Sequence, residues 1–320
     1  IPTITVSSIP ASYFDKSKLL VVSGTAAEST SMNPQSGLSG VVYAVKAGHD
    51  VNSSTLVTGD WTAASGATTW TANIDMSTEA DGAYTVFVAS KDVSGNYSAI
   101  SQYNVTADSV SPTLTAPGTS GVTSYTKDNF TFSGTVSDTS GVKSVMYTRK
   151  VNTNPASPVS NVPTWNTSTG AWNLAEETSA GTYVYVITVT DNAGLVTSEN
   201  RTVVLDKTKP IPTITGPVLD DTYIKTGTYN FKGGAADALS GVASISVQFD
   251  MNAPVSLDPG LTWAYEEPLS GYSEGSSHTL TVTVVDKAGN SETVTRTFYV
   301  DRAVPELSET TINTDATVYR

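Results

Sequence analysis

The sequence predicts an all-β chain in which one sandwich-forming unit is copied in line to make an elongated tandem array. Three observations predict it. An opening motif recurs: Ile1-Pro2-Thr3-Ile4-Thr5 returns letter for letter as Ile211-Pro212-Thr213-Ile214-Thr215, with Ser111-Pro112-Thr113-Leu114-Thr115 between them. The apolar segments have strand length, alternate with period two, and lack the i, i+3, i+4 spacing of a helix. Turn residues punctuate the chain about every 8–12 residues, the rhythm of a two-sheet β domain of about seven strands.

Each unit then runs through the same elements. After the opening motif comes an apolar run (Leu19 to Ala26, Phe130 to Val136, Tyr229 to Ala236) with a glycine expected in register: Gly24, Gly134 and Gly234. A Ser-Gly-Val opens the next run at Ser39, Ser140 and Ser240. A tryptophan follows late in each unit: Trp70, Trp172 and Trp263. A strongly alternating strand then ends at Asp92, Asp191 or Asp286, and counting back in steps of two aligns Tyr84, Tyr183 and His278. A last strand leads into the linkers Asp108-Ser-Val-Ser-Pro112, Asp206-Lys-Thr-Lys-Pro210 and Asp301-Arg-Ala-Val-Pro305.

The opening prolines Pro2, Pro112, Pro212 and Pro305 are 110, 100 and 93 residues apart. The boundaries that follow are 1–109, 110–208 and 209–303, with 304–320 the start of a fourth, truncated unit. About nine residues near Glu28 to Gly37 are an insertion in the first unit. The chain reads as an excerpt from a longer array, so further repeats of the same kind are its expected neighbours.

This pattern is that of an immunoglobulin-like sandwich. Tyr84 and Tyr183 each follow a glycine by two and begin the penultimate strand, where a tyrosine corner ties its hydroxyl to nearby backbone. His278 holds that place in the third unit, whose corner is expected to differ. No cysteine is present. The cores must therefore rest on packing, with the three aligned tryptophans as large fillers.

The units resemble the bacterial Ig-like repeats of large cell-surface adhesins. The resemblance rests on the turns Asp92-Val-Ser-Gly95-Asn96 and Asp286-Lys-Ala-Gly289-Asn290 and on the Asp-x-x-x-Pro linkers; the second unit departs, with Asp191-Asn-Ala-Gly194-Leu195. It implies an extracellular or cell-surface stalk or adhesive fibre, with calcium at the domain junctions.

Composition narrows the partners. With 17 basic and 30 acidic side chains, the net charge of −13 opposes binding to nucleic acid or anionic membranes. The lack of cysteine excludes a disulfide framework, a thiol nucleophile and cysteine-based zinc sites. No apolar run approaches the length of a membrane span. No charged-then-apolar leader stands at the N-terminus, so a signal peptide is expected to have been removed.

Chemistry is most concentrated at the aspartates. In an Ig-like sandwich the loops after the second and sixth strands share the pole where the chain enters, and the preceding linker arrives there too. That gathers Asp108, Asp138 and Asp191 in one set and Asp206, Asp237 and Asp286 in another. In the first unit only Glu28 and Asp92 are visible. Three carboxylates at ~6 Å repel by roughly 1 kcal/mol per pair at intermediate dielectric. Calcium, with six to eight oxygen ligands and forgiving geometry, converts that repulsion into binding. Against this, Asp138 and Asp237 are one residue out of register, and the spacing is not an EF-hand. The plain alternative is that Asp-x-x-Gly simply closes a hairpin, the aspartate capping the turn and the glycine taking φ > 0.

Other candidates carry less. Trp61 and Trp165 flank short turns and are the residues from which a sugar-stacking platform would be built. Glu176-Glu177 and Glu266-Glu267 are adjacent on strands and so point to opposite faces; they cannot flank one glycosidic bond. They read as edge protection. His49 and His278 show no sequence partner for nucleophilic or zinc chemistry. The expected role is therefore a non-catalytic stalk or adhesive segment of a bacterial surface or secreted protein that spaces a functional tip from its anchor. The alternatives are a module binding a glycan or host protein, or a self-assembling surface-layer or fibre subunit in which 304–320 pairs with a neighbour.

Overall fold

The computed structural model describes residues 1–9, 12–28, 36–152 and 159–306. Most of the expected insertion near Glu28 to Gly37 and of the truncated unit 304–320 lies outside the described residues.

Among the described residues, regular structure is β-strand apart from two 3₁₀ turns, Ser53–Thr55 and Thr58–Asp60. The strands form six sheets. In the first repeat, one sheet runs Thr3–Ser8, Leu20–Ala27, Thr69–Ile74, Ser65–Gly66. The other runs Tyr13–Asp15, Ser101–Asp108, Gly82–Asp92, Leu38–Ala47, Thr62–Ala63. In the second, the orders are Thr113–Thr115, Ser133–Ser137, Ala171–Asn173, Thr164–Trp165, and Thr123–Thr126, Val196–Leu205, Gly181–Asp191, Val142–Val151, Val159–Asn161. In the third they are Ile211–Gly216, Thr228–Ala236, Thr262–Pro268, and Thr222–Ile224, Ser291–Val300, Ser277–Asp286, Val242–Phe249, Val255–Leu257. The opening segment switches sheets. Tyr13–Asp15 pairs in parallel with Ser101–Asp108, and Thr222–Ile224 does the same with Ser291–Val300. These are immunoglobulin-like sandwiches, as the alternating pattern predicts. By backbone contacts the chain divides into two compact units: residues 1–122, 131–176 and 184–202 in one, and 123–130, 177–183 and 203–320 in the other.

Each core is made by the inward faces of two sheets. In the first repeat, Leu20, Val22, Trp70 and Ile74 of one sheet meet Val41, Tyr84, Val86, Val88 and Val105 of the other. In the third, Phe231, Ala235 and Trp263 meet Ile245, Val247, Leu280, Val282, Val284 and Phe298. The three tryptophans are core fillers: Trp70, Trp172 and Trp263 are at most 5% exposed. Their indole N–H groups have no hydrogen-bond partner, so packing alone holds them.

Each tryptophan sits opposite a glycine on the neighbouring strand: Gly24 for Trp70, Gly134 for Trp172, and Gly233 for Trp263. The third copy corrects the expected register, because Gly233, not Gly234, is the equivalent residue. A Cβ on Gly24 would lie 2.0 Å from the Thr5 carbonyl oxygen and 3.0 Å from the Trp70 ring. The identical opening pentapeptides also differ in register. Ile4 lies opposite Ala26, two residues past the glycine, whereas Ile214 lies opposite Gly233 itself. A slip of two preserves the inward face, which is why the same letters serve both registers.

The first repeat departs from simple alternation. On Gly82–Asp92 every residue from Tyr84 to Ser90 is buried, including Phe87 and Ala89 on the outer face. The segment after Leu38–Ala47 returns against this sheet. Val51 N–H donates to Thr85 Oγ1 (3.2 Å), Thr85 Oγ1 donates to the Gly48 carbonyl (2.8 Å), and His49 Nε2 lies 3.1 Å from the Val105 carbonyl. In the second and third repeats the equivalent strand alternates cleanly between buried and half-buried positions from Thr182 and His278 onwards.

Candidate metal centre

The turn after each penultimate strand places its aspartate. Gly95, Gly194 and Gly289 have φ of +94°, +92° and +90°, which closes a tight loop and brings a backbone N–H four residues on back to the aspartate. Asp92 Oδ1 accepts from Asn96 N, Asp191 Oδ1 from Leu195 N and Asp286 Oδ1 from Asn290 N, each at 2.8 Å. The hairpin-capping role expected of these residues is therefore present in all three copies.

Two further aspartates join at two of these turns. Asp108 ends Ser101–Asp108, Asp138 follows Ser133–Ser137, and Asp191 ends Gly181–Asp191; one carboxylate oxygen from each lies within 4.8 Å of the others. Asp206, Asp237 and Asp286 form a second set with the same spacing limit. Asp108, Asp191, Asp206 and Asp286 are at most 2% exposed, while Asp138 and Asp237 are half-buried. In the first repeat Glu28 is half-buried and belongs to neither set.

The hydrogen bonding of the two sets differs. In the first, Oδ1 is committed on each residue: Asp108 to Val110 N (2.9 Å), Asp138 to Ser140 N and Oγ (2.7 and 2.6 Å), and Asp191 to Leu195 N. Asp108 Oδ2 and Asp191 Oδ2 are buried without a partner. In the second, Asp206 accepts from Thr208 N and Oγ1 (3.0 and 2.6 Å) and from Ser240 N (2.9 Å). Asp237 Oδ1 accepts from Gly241 N (2.6 Å), and its Oδ2 has no partner. Both Asp286 oxygens are taken by Asn290, through its N–H and its Nδ2, each at 2.8 Å.

The electrostatics follow these contacts. Burial pushes the Asp191 carboxyl above its usual range, and Asp138 and Asp108 add to the rise. Burial alone would raise Asp206 too, but hydrogen bonds from Thr208 and Ser240 hold it below. Asp92 is held low first by the Asn96 side chain, against the opposing effect of burial. The first set thus presents buried carboxylate oxygens with neither proton donor nor counter-charge, the donor set a hard divalent cation takes. Asp108, Asp138 and Asp191 would hold it, and it would supply positive charge that offsets their mutual repulsion.

The remaining candidates fall elsewhere. Trp61 is half-buried and stacks on Tyr97 with centroids 6.0 Å apart, while Trp165 is half-buried beside Trp172. On the edge strand Thr262–Pro268, Glu267 accepts hydrogen bonds from Tyr265 of the same strand and from Tyr272 beyond its end, with Glu266 exposed on the other face. Burial first, then Glu267, pushes the Tyr265 hydroxyl up to about 12. The tyrosine corners form: Tyr84 Oη donates to the Ala80 carbonyl (2.8 Å) and Tyr183 Oη to that of Ser179 (2.6 Å).

His278 has partners the sequence did not reveal. Its Nδ1 lies 2.7 Å from Asp250 Oδ2 and its Nε2 2.7 Å from Ser276 Oγ. The residue types are those of a nucleophilic triad, but the Ser276 hydroxyl is donated to the Ser273 carbonyl (2.5 Å) and the imidazole packs against Phe249, Tyr272 and Phe298. The cluster ties the start of the penultimate strand to nearby backbone, as the tyrosine does in the other copies.

Residues 268–302 match the family model of a bacterial Ig-like domain. The chain resembles bacterial Ig-like repeats. The matched stretch holds the strands Ser277–Asp286 and Ser291–Val300 and the Asp286–Asn290 turn between them. Among solved structures, a tetra-tandem repeat from the extending region of a large adhesion protein is 18% identical, covering 94% of this chain and 74% of that one, with a TM-score of 0.38. A Ca²⁺-stabilized adhesin that helps an Antarctic bacterium bind ice is 18% identical, covering 93% and 74%, with a TM-score of 0.31. A three-Ig fragment of titin is 10% identical, covering 94% and 98%, with a TM-score of 0.39. No curated protein matches the chain. No helix among the described residues is long and apolar enough to cross a membrane.

Proposed function

We propose that this chain is a non-catalytic stalk or adhesive segment of a bacterial cell-surface or secreted protein, built of Ig-like domains at 1–109, 110–208 and 209–303 that space a functional tip from its anchor. Calcium at the acidic clusters stiffens the joints. One observation carries this reading: residues shared by the copies serve architecture. The tryptophans fill cores, the tyrosines pin corners, and the aspartates cap turns and meet the linker aspartate of the preceding repeat. The proline that follows each linker aspartate limits bending, because it fixes φ and biases the residue before it to extended conformations.

Pulling the chain from its two ends tests the stalk role. Three unfolding events of similar contour length, shifted to higher force by calcium, are expected. A single event, or events of unrelated length, overturns the domain division. Identical force and melting curves in excess calcium and in chelator remove the metal from the proposal.

A further inference from the structure

We infer that the two acidic clusters are not equivalent: Asp108, Asp138 and Asp191 form a divalent-cation site, whereas in the Asp206, Asp237 and Asp286 cluster the linker and turn aspartates are already held by protein donors. This rests on the calcium reading above and restricts it to one of the two clusters. The deciding position is the fourth residue after the turn aspartate, which is Asn290 in one copy and Leu195 in the other. Asn290 Nδ2 donates to Asp286 Oδ2 and to the Asp206 carbonyl oxygen, both at 2.8 Å, so a neutral amide staples the linker to the turn. Leucine has no donor. In its copy, Asp191 Oδ2 and Asp108 Oδ2 remain buried and unpartnered, on side chains that are 0% and 2% exposed. An unpaired buried carboxylate is costly, and a cation is the group that removes the cost.

A second observation points the same way. A Cβ on Gly241, whose N–H donates to Asp237, would lie 3.6 Å from Lys287 Nζ, an ammonium that also stands 5.5 Å from the Tyr125 ring centroid. At the matching place beside the first cluster, a Cβ on Gly141 would lie 2.8 Å from Asn192 Nδ2, which is uncharged. In the second cluster the linker and turn aspartates thus have protein donors on both oxygens, and Asp237 Oδ2 is the buried oxygen left without a partner. In the first, the linker and turn aspartates each keep one buried oxygen without a donor.

Calcium titration of the whole chain after chelator treatment, followed by calorimetry and by terbium luminescence, tests this. One equivalent is expected at the tight site. Leu195→Asn is expected to weaken it about tenfold or more, and Asp191→Asn to abolish it. Asn290→Leu is expected to add a second equivalent, and Asp206→Asn to leave the tight site in place. Circular dichroism of each variant shows that it is folded. Leu195→Asn recreates a turn the chain already uses at Asp286–Asn290, so it reports on binding rather than folding. Two equivalents of equal affinity in the unaltered chain, or a tight site lost with Asp206→Asn but kept with Asp191→Asn, overturn the inference and leave calcium binding standing. No binding at either cluster overturns both.

Discussion

Leu195 donates its backbone N–H to Asp191 Oδ1 at 2.8 Å, and its side chain leaves Asp191 Oδ2 buried with no partner. In the other two copies an asparagine amide fills that role: Asn96 for Asp92 and Asn290 for Asp286, each at 2.8 Å. One residue type thus separates a closed turn from an open one.

Asp191 supplies a prediction with a defined sign. Its folded-state pKa lies above the usual value, so the ionised form costs stability at neutral pH, and the cost is relieved as pH falls through the raised pKa. In chelator at pH 7, Asp191→Asn is expected to melt above the unaltered chain, because the amide keeps the Leu195 contact and removes a charge. The gap is expected to close as the solution is acidified. In calcium at about 100 times its Kd the order is expected to reverse, since binding adds ~2.7 kcal/mol to the unaltered chain alone. Thermal melts across pH with and without calcium check all three statements; an Asp191→Asn protein that melts lower in chelator contradicts them.

The glycine under each tryptophan gives a second test. Gly134→Ala would place a Cβ 1.9 Å from the Thr115 carbonyl oxygen and 3.0 Å from the Trp172 ring. Backbone and a buried indole must both shift, at a cost of about 1–3 kcal/mol or more. Gly271→Ala, which meets nothing within 4 Å, is the control and is expected to change stability by less than about 0.5 kcal/mol. Equal denaturation midpoints for the two would refute the close-packing account.

Removing the corner hydroxyl should be felt locally. Tyr84→Phe loses the hydrogen bond to Ala80 and is expected to cost about 1 kcal/mol. His278→Phe removes one contact each from Asp250 Oδ2 and Ser276 Oγ, and is expected to cost about 1–3 kcal/mol because Asp250 Oδ2 loses its ring partner. Amide exchange at the start of each penultimate strand, Gly82–Asp92 and Ser277–Asp286, is the readout, with faster exchange confined to the altered copy.

The third repeat should stand alone. Its buried cluster runs from Ile214 to Val300 and, among the described residues, draws on none outside 209–303. A fragment of those residues is expected to unfold in one cooperative step, with coincident transitions in near- and far-ultraviolet dichroism. A broad, non-coincident melt would count against the proposed boundaries.

Much of this was legible because it depends on local pattern. Period two over Ser277–Asp286 shows which residues face inward, and the structure buries His278, Leu280, Val282, Val284 and Asp286 accordingly. The recurrence of Trp70, Trp172 and Trp263 at one strand position marks a core filler, and all three are buried. Other features were hidden because they depend on pairing between distant segments. Gly233 rather than Gly234 lies under Trp263, since strand register is set by neighbours and not by counting from a motif. Phe87 is buried on a face that alternation assigns to solvent, the face on which Thr85 accepts from Val51 of the segment after Ala47. Asp250 meets His278 across 28 residues, at a turn where Asp250 itself takes a φ of 50°.

The sequence by itself determined the all-β class, the copied unit, the inward faces and the six aspartates, because side-chain periodicity and turn chemistry are properties of adjacent residues. Tertiary structure alone decided which carboxylate oxygens are left without a donor. That depends on where a linker, two turns and one asparagine or leucine meet in space, and on how much water their meeting excludes.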